Sequence, residues 1–271
     1  MEKLLQGIGK NFQLAADAEV TIEANPGTLT PEKLALYRRY GINRISIGLQ
    51  SPENQELRAL GRIHNYQQFL ESYHMAREAG FSNINIDLMF AIPGQSYEGW
   101  IQNLRTVAKL GPEHISAYSL IIEEGTPFSA RKLDLPDEDT EYRMYEDVAA
   151  VLGKYGYYQY EISNYAKKDR NCRHNEGYWQ RKDYLGLGLG AASLVGRERF
   201  TNTSDMSEYL ENSGNLEKIR TDRETLTRED EMGEFMFLGL RMTKGVSKKD
   251  FQEYFGTSIE KIYGEVLEKY K

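Results

Sequence analysis

The stretch 83–90, NINIDLMF, alternates polar and apolar residues, and that alternation decides the fold class. Successive side chains of an extended strand point to opposite faces, so Ile84, Ile86 and Leu88 share one face and Asn83, Asn85 and Asp87 the other. Two further stretches split in the same way. RISIGLQ (44–50) sets Ile45, Ile47 and Leu49 against Ser46, Gly48 and Gln50, and EVTIEA (19–24) sets Val20, Ile22 and Ala24 against Glu19, Thr21 and Glu23. HISAYSL (114–120) is a fourth short strand pattern.

Each strand pattern follows a helical stretch: EKLLQGIGKNF, PEKLALYRRYG, NYQQFLESYHMAREAG and YEGWIQNLRTVAKLG. The last three close on glycine, as helix C-caps do. Helix and strand alternating at this spacing predict parallel βα units and an α/β fold. A sheet covered by helices on both faces reads as nearly continuous apolar runs, and a closed eight-stranded barrel carries branched residues inside. These strands fit neither pattern. They predict a βα barrel or arc whose outer face packs on helices while a small, polar inner face lines a wet cavity. Functional groups sit at the carboxyl ends of such strands, which singles out Glu23, Gln50, Asp87 and Tyr118.

Composition narrows the function classes. The 271 residues carry a net charge of −7 and no clustered Lys/Arg stretch, which removes the electrostatic basis for binding nucleic acid. The longest charge-free run, which contains LGLGLGAASLVG, is shorter than the roughly 20 residues a membrane-spanning helix needs. MEKLLQGIGK has charge where a signal peptide has its apolar segment, so a cytoplasmic location is expected. Cys172 is the single cysteine, which excludes an internal disulfide and a multi-cysteine metal centre built by this chain alone.

Beyond the fourth strand pattern comes a turn-rich connector, IIEEGTPFSARKLDLPDED, then an amphipathic helix (EYRMYEDVAAVLGKYG) and a tyrosine-rich strand (YYQYEISNYA). RHNEGYWQ (173–180) places His174, Asn175, Tyr178 and Trp179 within eight residues and reads as either a ligand or a capped turn. GLGLGAAS is no dinucleotide fingerprint, because G-x-G-x-x-G must open a helix after the first strand of a βαβ unit; close backbone packing is expected instead. An ASLVGRERFTNT strand follows, and from Leu226 the pattern changes to helix, glycine-containing turn, helix. The predicted division is 1–135, a βα arc; 136–222, the helix, tyrosine-rich strand, HNxxYW and GLGLGA segment; and 223–271, a small helical module.

In this order and spacing, IEANPGTL, RISIGLQS, LGRIH, NIDLMFAIPGQ, ISAYSL, EEGTPF, YEISNYA, RHNEGYW and GLGLGAAS resemble the radical S-adenosylmethionine (SAM) proteins of the oxygen-independent coproporphyrinogen III oxidase group. Within that group they are most similar to the HemW-type haem chaperones. The resemblance covers nearly the whole chain and implies a partial (β/α) radical-SAM barrel with an incomplete winged-helix-like module at its C-terminal end. It further implies that Glu23, Gln50, Arg62 and Asp87, spaced by 27, 12 and 25 residues, hold SAM. His174 becomes the expected axial ligand of haem carried as cargo, with Tyr178 and Trp179 against the porphyrin face. A haem-acceptor protein is the implied partner.

The chain departs from the family in one respect. The group binds a [4Fe–4S] cluster through a CxxxCxxC loop and follows its second strand with a GGTP-type turn, and neither motif is present. The expectation is therefore a sequence lacking its first two βα units, with both motifs encoded in frame upstream of Met1, and no radical chemistry by this polypeptide alone. Two other functions fit the same motifs less well. One is a coproporphyrinogen III oxidase, which the HNxxYW motif and missing cluster loop disfavour; the other is a non-enzymatic scaffold that binds a partner.

Overall fold

The computed structural model describes residues 1–126 and 128–270, so Pro127 of the EEGTPF stretch and Lys271 lie outside the described residues. The chain forms two compact units, Met1–Cys172 and Arg173–Lys271.

The first unit runs α1 (Glu2–Asn11), β1 (Thr21–Ala24), α2 (Pro31–Arg39), β2 (Arg44–Gln50), α3 (Asn54–Ala59), α4 (Tyr66–Glu78), β3 (Ile84–Phe90), α5 (Tyr97–Leu110), β4 (His114–Ser119), α6 (Glu138–Gly153), β5 (Tyr158–Gln159) and β6 (Asn164–Ala166). Its sheet has the order β1-β2-β3-β4-β6-β5. Strands β1 to β4 are parallel, as the alternation of helix and strand predicts, whereas β6 runs antiparallel to both β4 and β5. The helices start on caps legible in the sequence: Thr30 with Pro31 behind it for α2, an Asn65–Gln68 capping box for α4 and Ser96 for α5.

Parity within the strands is realised. Ile45, Ile47, Leu49, Ile84, Ile86, Leu88 and Ile115 are all buried in one core with Phe69, Trp100, Leu104, Val107, Val148 and Leu152 of the covering helices. Each such side chain contributes about 1.5–3 kcal/mol on burial, so this face fixes the register. That register aligns the polar face into a row across the sheet: Glu23 beside Ser46, Ser46 beside Asn85, Asn85 beside His114, and Asp87 beside Ser116.

YYQYEISNYA departs from the expected single strand. It folds back as the β5–β6 hairpin, because the Glu161 carboxylate accepts the Ser163 amide (2.9 Å) and the Asn164 side chain and so closes a turn inside the stretch.

The second unit holds α7 (Arg173–Trp179), β7 (Ala192–Val195), β8 (Glu198–Asn202), α8 (Met206–Asn212), α9 (Leu216–Ile219), β9 (Arg220–Thr225), α10 (Arg228–Gly239), α11 (Lys248–Phe255) and α12 (Ile259–Lys269). The expected ASLVGRERFTNT strand is a hairpin, β7 and β8, because Gly196 takes φ 61° and reverses the chain. Together with β9 it makes a three-stranded antiparallel sheet. GLGLGA leads into β7 and not into a helix. A Cβ on Gly186 would lie 2.3 Å from the Ala192 carbonyl oxygen, so glycine there permits close backbone approach. The last three helices pack Met232, Phe251, Phe255 and Ile259 into their own core, with the Phe251 and Phe255 ring centroids 4.7 Å apart.

Candidate functional site

The polar residues meet at the carboxyl ends of β1 to β4. An extra residue in β2, between Ile47 and Gln50, breaks the ladder with β3, and Gln50 takes φ 71°. Such a bulge re-aims a side chain. Gln50, in register with Leu88, directs its Oε1 to the Tyr118 hydroxyl, which donates at 3.0 Å. The strain at a non-glycine φ of this kind is on the order of 1–3 kcal/mol and is characteristic of functional sites.

Arg62 reaches the same place from the loop between α3 and α4. Its guanidinium donates to Asn25 Oδ1 at 3.0 Å and to the Gly48 carbonyl at 3.3 Å. Gly48 lies at the centre of the group. A Cβ built on it would sit 3.1 Å from Gln50 Nε2, 3.3 Å from Arg62 and 3.9 Å from Asn25 Oδ1. Three polar side chains thus converge over a bare stretch of backbone, a cradle that any side chain at residue 48 would fill.

Asp87 lies one strand further along. Asn85 Nδ2 donates to it at 2.7 Å and the Ser46 hydroxyl at 3.1 Å. Burial raises the Asp87 pKa above the usual carboxylate value, hydrogen bonds from Asn85, Ser116 and Ser46 oppose that rise, and the charge of Glu23 adds to it. Burial, and then the Asp87 charge, push the Tyr118 hydroxyl up to about 12, so it is a neutral donor. Glu23 itself is exposed at the rim. The structure therefore brings Glu23, Gln50, Arg62, Asp87 and Tyr118 to one face.

His64, two residues beyond Arg62 in LGRIH, is turned away. It is buried, its Nε2 lies 3.1 Å from the Leu49 carbonyl, and burial lowers its pKa, so it anchors the loop. Two residues were missed. Asn25 reads as part of an Asn-Pro-Gly turn yet holds Arg62, and its place directly after the β1 carboxyl end was the available signal. His114 shares the parity of Ser116 and Tyr118, and that alternation alone marks it as inward-facing.

His174 lies on α7, where i and i+4 residues share a face. The rings of His174 and Tyr178 meet edge to face with centroids 4.7 Å apart, and Tyr178 meets Tyr184 at the same distance. These residues, with Arg173 and Lys182, line a cavity of about 200 Å³. Trp179 is one step further round the helix and packs instead on Arg241, whose guanidinium carbon is 4.3 Å from the ring centroid. The two aromatic residues of HNxxYW thus face different neighbours, because consecutive helical positions do not share a face.

Chemically, a guanidinium and an amide over open backbone suit a carboxylate and hydroxyls, and two carboxylates beside them suit an ammonium or a ribose diol. The Radical SAM superfamily model matches residues 2–107 and the HemN C-terminal domain model residues 226–271. Heme chaperone HemW of Bacillus subtilis (strain 168) is 38% identical over 272 residues, covering 98% of this chain and 72% of the relative. The chain belongs to the HemW family. Heme chaperone HemW of Escherichia coli (strain K12) is also 38% identical, over 94% of this chain and 68% of its own length. Coproporphyrinogen III oxidase (HemN) from Escherichia coli, a radical SAM enzyme, shares the fold with a TM-score of 0.84 at 23% identity; the match covers 98% of this chain and 65% of that one.

Membership of this family implies SAM and a [4Fe–4S] cluster. The Gly48 cradle and its polar rim fit SAM. The cluster's thiolates are not supplied by this chain, whose one cysteine is buried, and among the described residues no group of His, Cys, Asp and Glu is placed to hold a metal ion. Among the described residues no helix is long and apolar enough to cross a membrane.

Proposed function

We propose that this chain carries the SAM-binding face and the haem-handling segment of a HemW-type haem chaperone. The observation that carries the reading is the convergence of Gln50, Arg62 and Asn25 on Gly48, beside Asp87 and Tyr118, in a chain 38% identical to proteins named for haem chaperoning. Arg62 and Gln50 hold the methionyl carboxylate and the ribose, and Glu23 and Asp87 accept from the ammonium or the ribose hydroxyls. The first unit corresponds in this reading to part of a (β/α) radical-SAM barrel, and the helices from α10 onward to a winged-helix-like module. The parallel β1 to β4 order and the fold shared with HemN support the first assignment, and the HemN C-terminal domain match supports the second.

Cargo binding is assigned to His174. A neutral imidazole is a good axial ligand for haem iron, Tyr178 offers it an apolar neighbour, and Arg173 and Lys182 supply cations for propionates. SAM, when bound next to a reduced cluster, is a source of radical chemistry; the residues of this chain bind and orient it. Isothermal titration of the purified chain with SAM tests the reading. Saturable binding weakened at least tenfold in Arg62→Met is expected, and absence of saturable binding to the folded chain overturns it.

A further inference from the structure

Within the first unit, three buried donors converge on one carboxylate oxygen. Oε2 of Glu56, on α3, accepts from the Ser51 hydroxyl at 2.6 Å, from Gln95 Nε2 at 2.9 Å and from Asn103 Nδ2 at 2.9 Å. The donors come from three places in the chain: Ser51 directly follows β2, Gln95 lies in the turn after β3, and Asn103 is in the middle of α5. All four residues are buried, Ser51 completely.

The carboxylate takes precedence over its partners' own needs. Gln95 gives Nε2 to Glu56 while its Oε1 is buried without a partner. A carboxylate oxygen only accepts, so the Ser51 hydroxyl donates its proton to Glu56 and receives the Glu53 amide at 2.9 Å on a lone pair. The Ser51 side chain is thereby held from two sides. Its backbone is restricted as well, because Pro52 follows it and biases the preceding residue to an extended conformation.

Both strand ends that reach this carboxylate carry backbone strain. Gln50, the residue before Ser51, takes φ 71°, and Ala91, the first residue after β3, takes φ 56°. A non-glycine residue persists in the left-handed region only where its surroundings over-determine it. At Gln50 that conformation carries the side chain to the Gly48 cradle and to the Tyr118 hydroxyl. We propose that Glu56 is a positioning residue for the SAM face: through Ser51 it holds Gln50 in its left-handed conformation, and through Gln95 it fixes the neighbouring strand end. This deepens the reading of that face as a SAM site and rests on it for the identity of the ligand. Without the carboxylate, Gln50 relaxes to a negative φ and its amide leaves the cradle, so affinity falls with the fraction of chains that keep the strained form. The strain expected of one such residue converts to a population ratio of about fivefold or more.

The first test needs no ligand. In NMR of the labelled full chain, the one-bond Cα–Hα coupling of Gln50 separates positive from negative φ. It should report positive φ in the parent and in Glu56→Gln, whose amide oxygen can accept the same three donors, and should move toward the negative-φ value in Glu56→Met. Ser51→Ala, which removes a single hydroxyl, gives the same readout in a milder variant and should move Gln50 in the same direction. The second test is calorimetric titration with SAM, alongside melting of each sample. Affinity should fall about fivefold or more in Glu56→Met and Ser51→Ala and return to within about twofold of the parent in Glu56→Gln. Variants that melt lower yet keep Gln50 at positive φ and bind SAM as the parent does reduce Glu56 to a packing role and overturn the proposal. A Gln50 that relaxes in Ser51→Ala, in a chain whose parent binds no SAM, upholds the control of Gln50 by this cluster and overturns the identity of the ligand.

Discussion

Replacing Gly48 by alanine places one methyl group in the cradle and changes little else. The new Cβ lies 3.1 Å from Gln50 Nε2 and 3.3 Å from the Arg62 guanidinium, tight contacts that the ends of two flexible side chains relieve by moving a few tenths of an ångström. Folding is barely affected, because alanine in a strand relieves about 0.5–1 kcal/mol of the entropy that glycine loses, which offsets the crowding. Binding is affected more. A hydrogen bond to a charged group contributes about 1.5–3 kcal/mol, and displacing one or two of them from SAM costs roughly 10- to 100-fold or more in affinity at 1.4 kcal/mol per factor of ten. The assay is calorimetric titration with SAM alongside thermal melting of the same sample. Unchanged SAM affinity with an unchanged melting curve would refute the placement of the ligand over Gly48.

Other outcomes follow from the packing and the titrating groups. Phe251→Ala, which empties the centre of the α10–α12 core, should cost about 3–5 kcal/mol and lower the melting temperature of the second unit. Gly186→Ala should destabilise by at least 1–3 kcal/mol, since its Cβ would meet backbone, which cannot swing aside as a side chain does; a neutral effect would mean the GLGLGA approach is looser than described. Burial lowers the pKa of both His64 and His114, so below the ordinary value of 6.5 the unfolded chain binds more protons than the folded one. Their contribution to stability is therefore complete above about pH 6.5 and declines as the pH falls below it, and melting at stepped pH should show that loss reduced in His64→Asn.

The parallel βα order was legible because strand parity and helix caps are local signals: Ile84, Ile86 and Leu88 have to be buried together whatever the distant chain does. The same parity placed Ser46, Asn85 and Asp87 on one face. Gln50 was assigned to that face by counting, but its register partner is Leu88, and a bulge with a left-handed residue restores its aim; counting reached the right face by a route the ladder does not follow. What alternation hides is reversal. YYQYEISNYA and ASLVGRERFTNT each looked like one strand, yet Glu161 and Gly196 fold them back, a choice made by one carboxylate and one positive φ. His114 escaped notice because a histidine in a strand has no spacing rule of its own, and its partners Asn85 and Tyr160 lie 29 and 46 residues away.

The reading of a haem chaperone meets its most direct test in the absorption spectrum of hemin titrated into the purified chain. A saturable Soret shift, lost in His174→Ala while the variant melts as the parent does, is the predicted result. A Soret shift that survives unchanged in His174→Ala, or none in the parent chain, contradicts it.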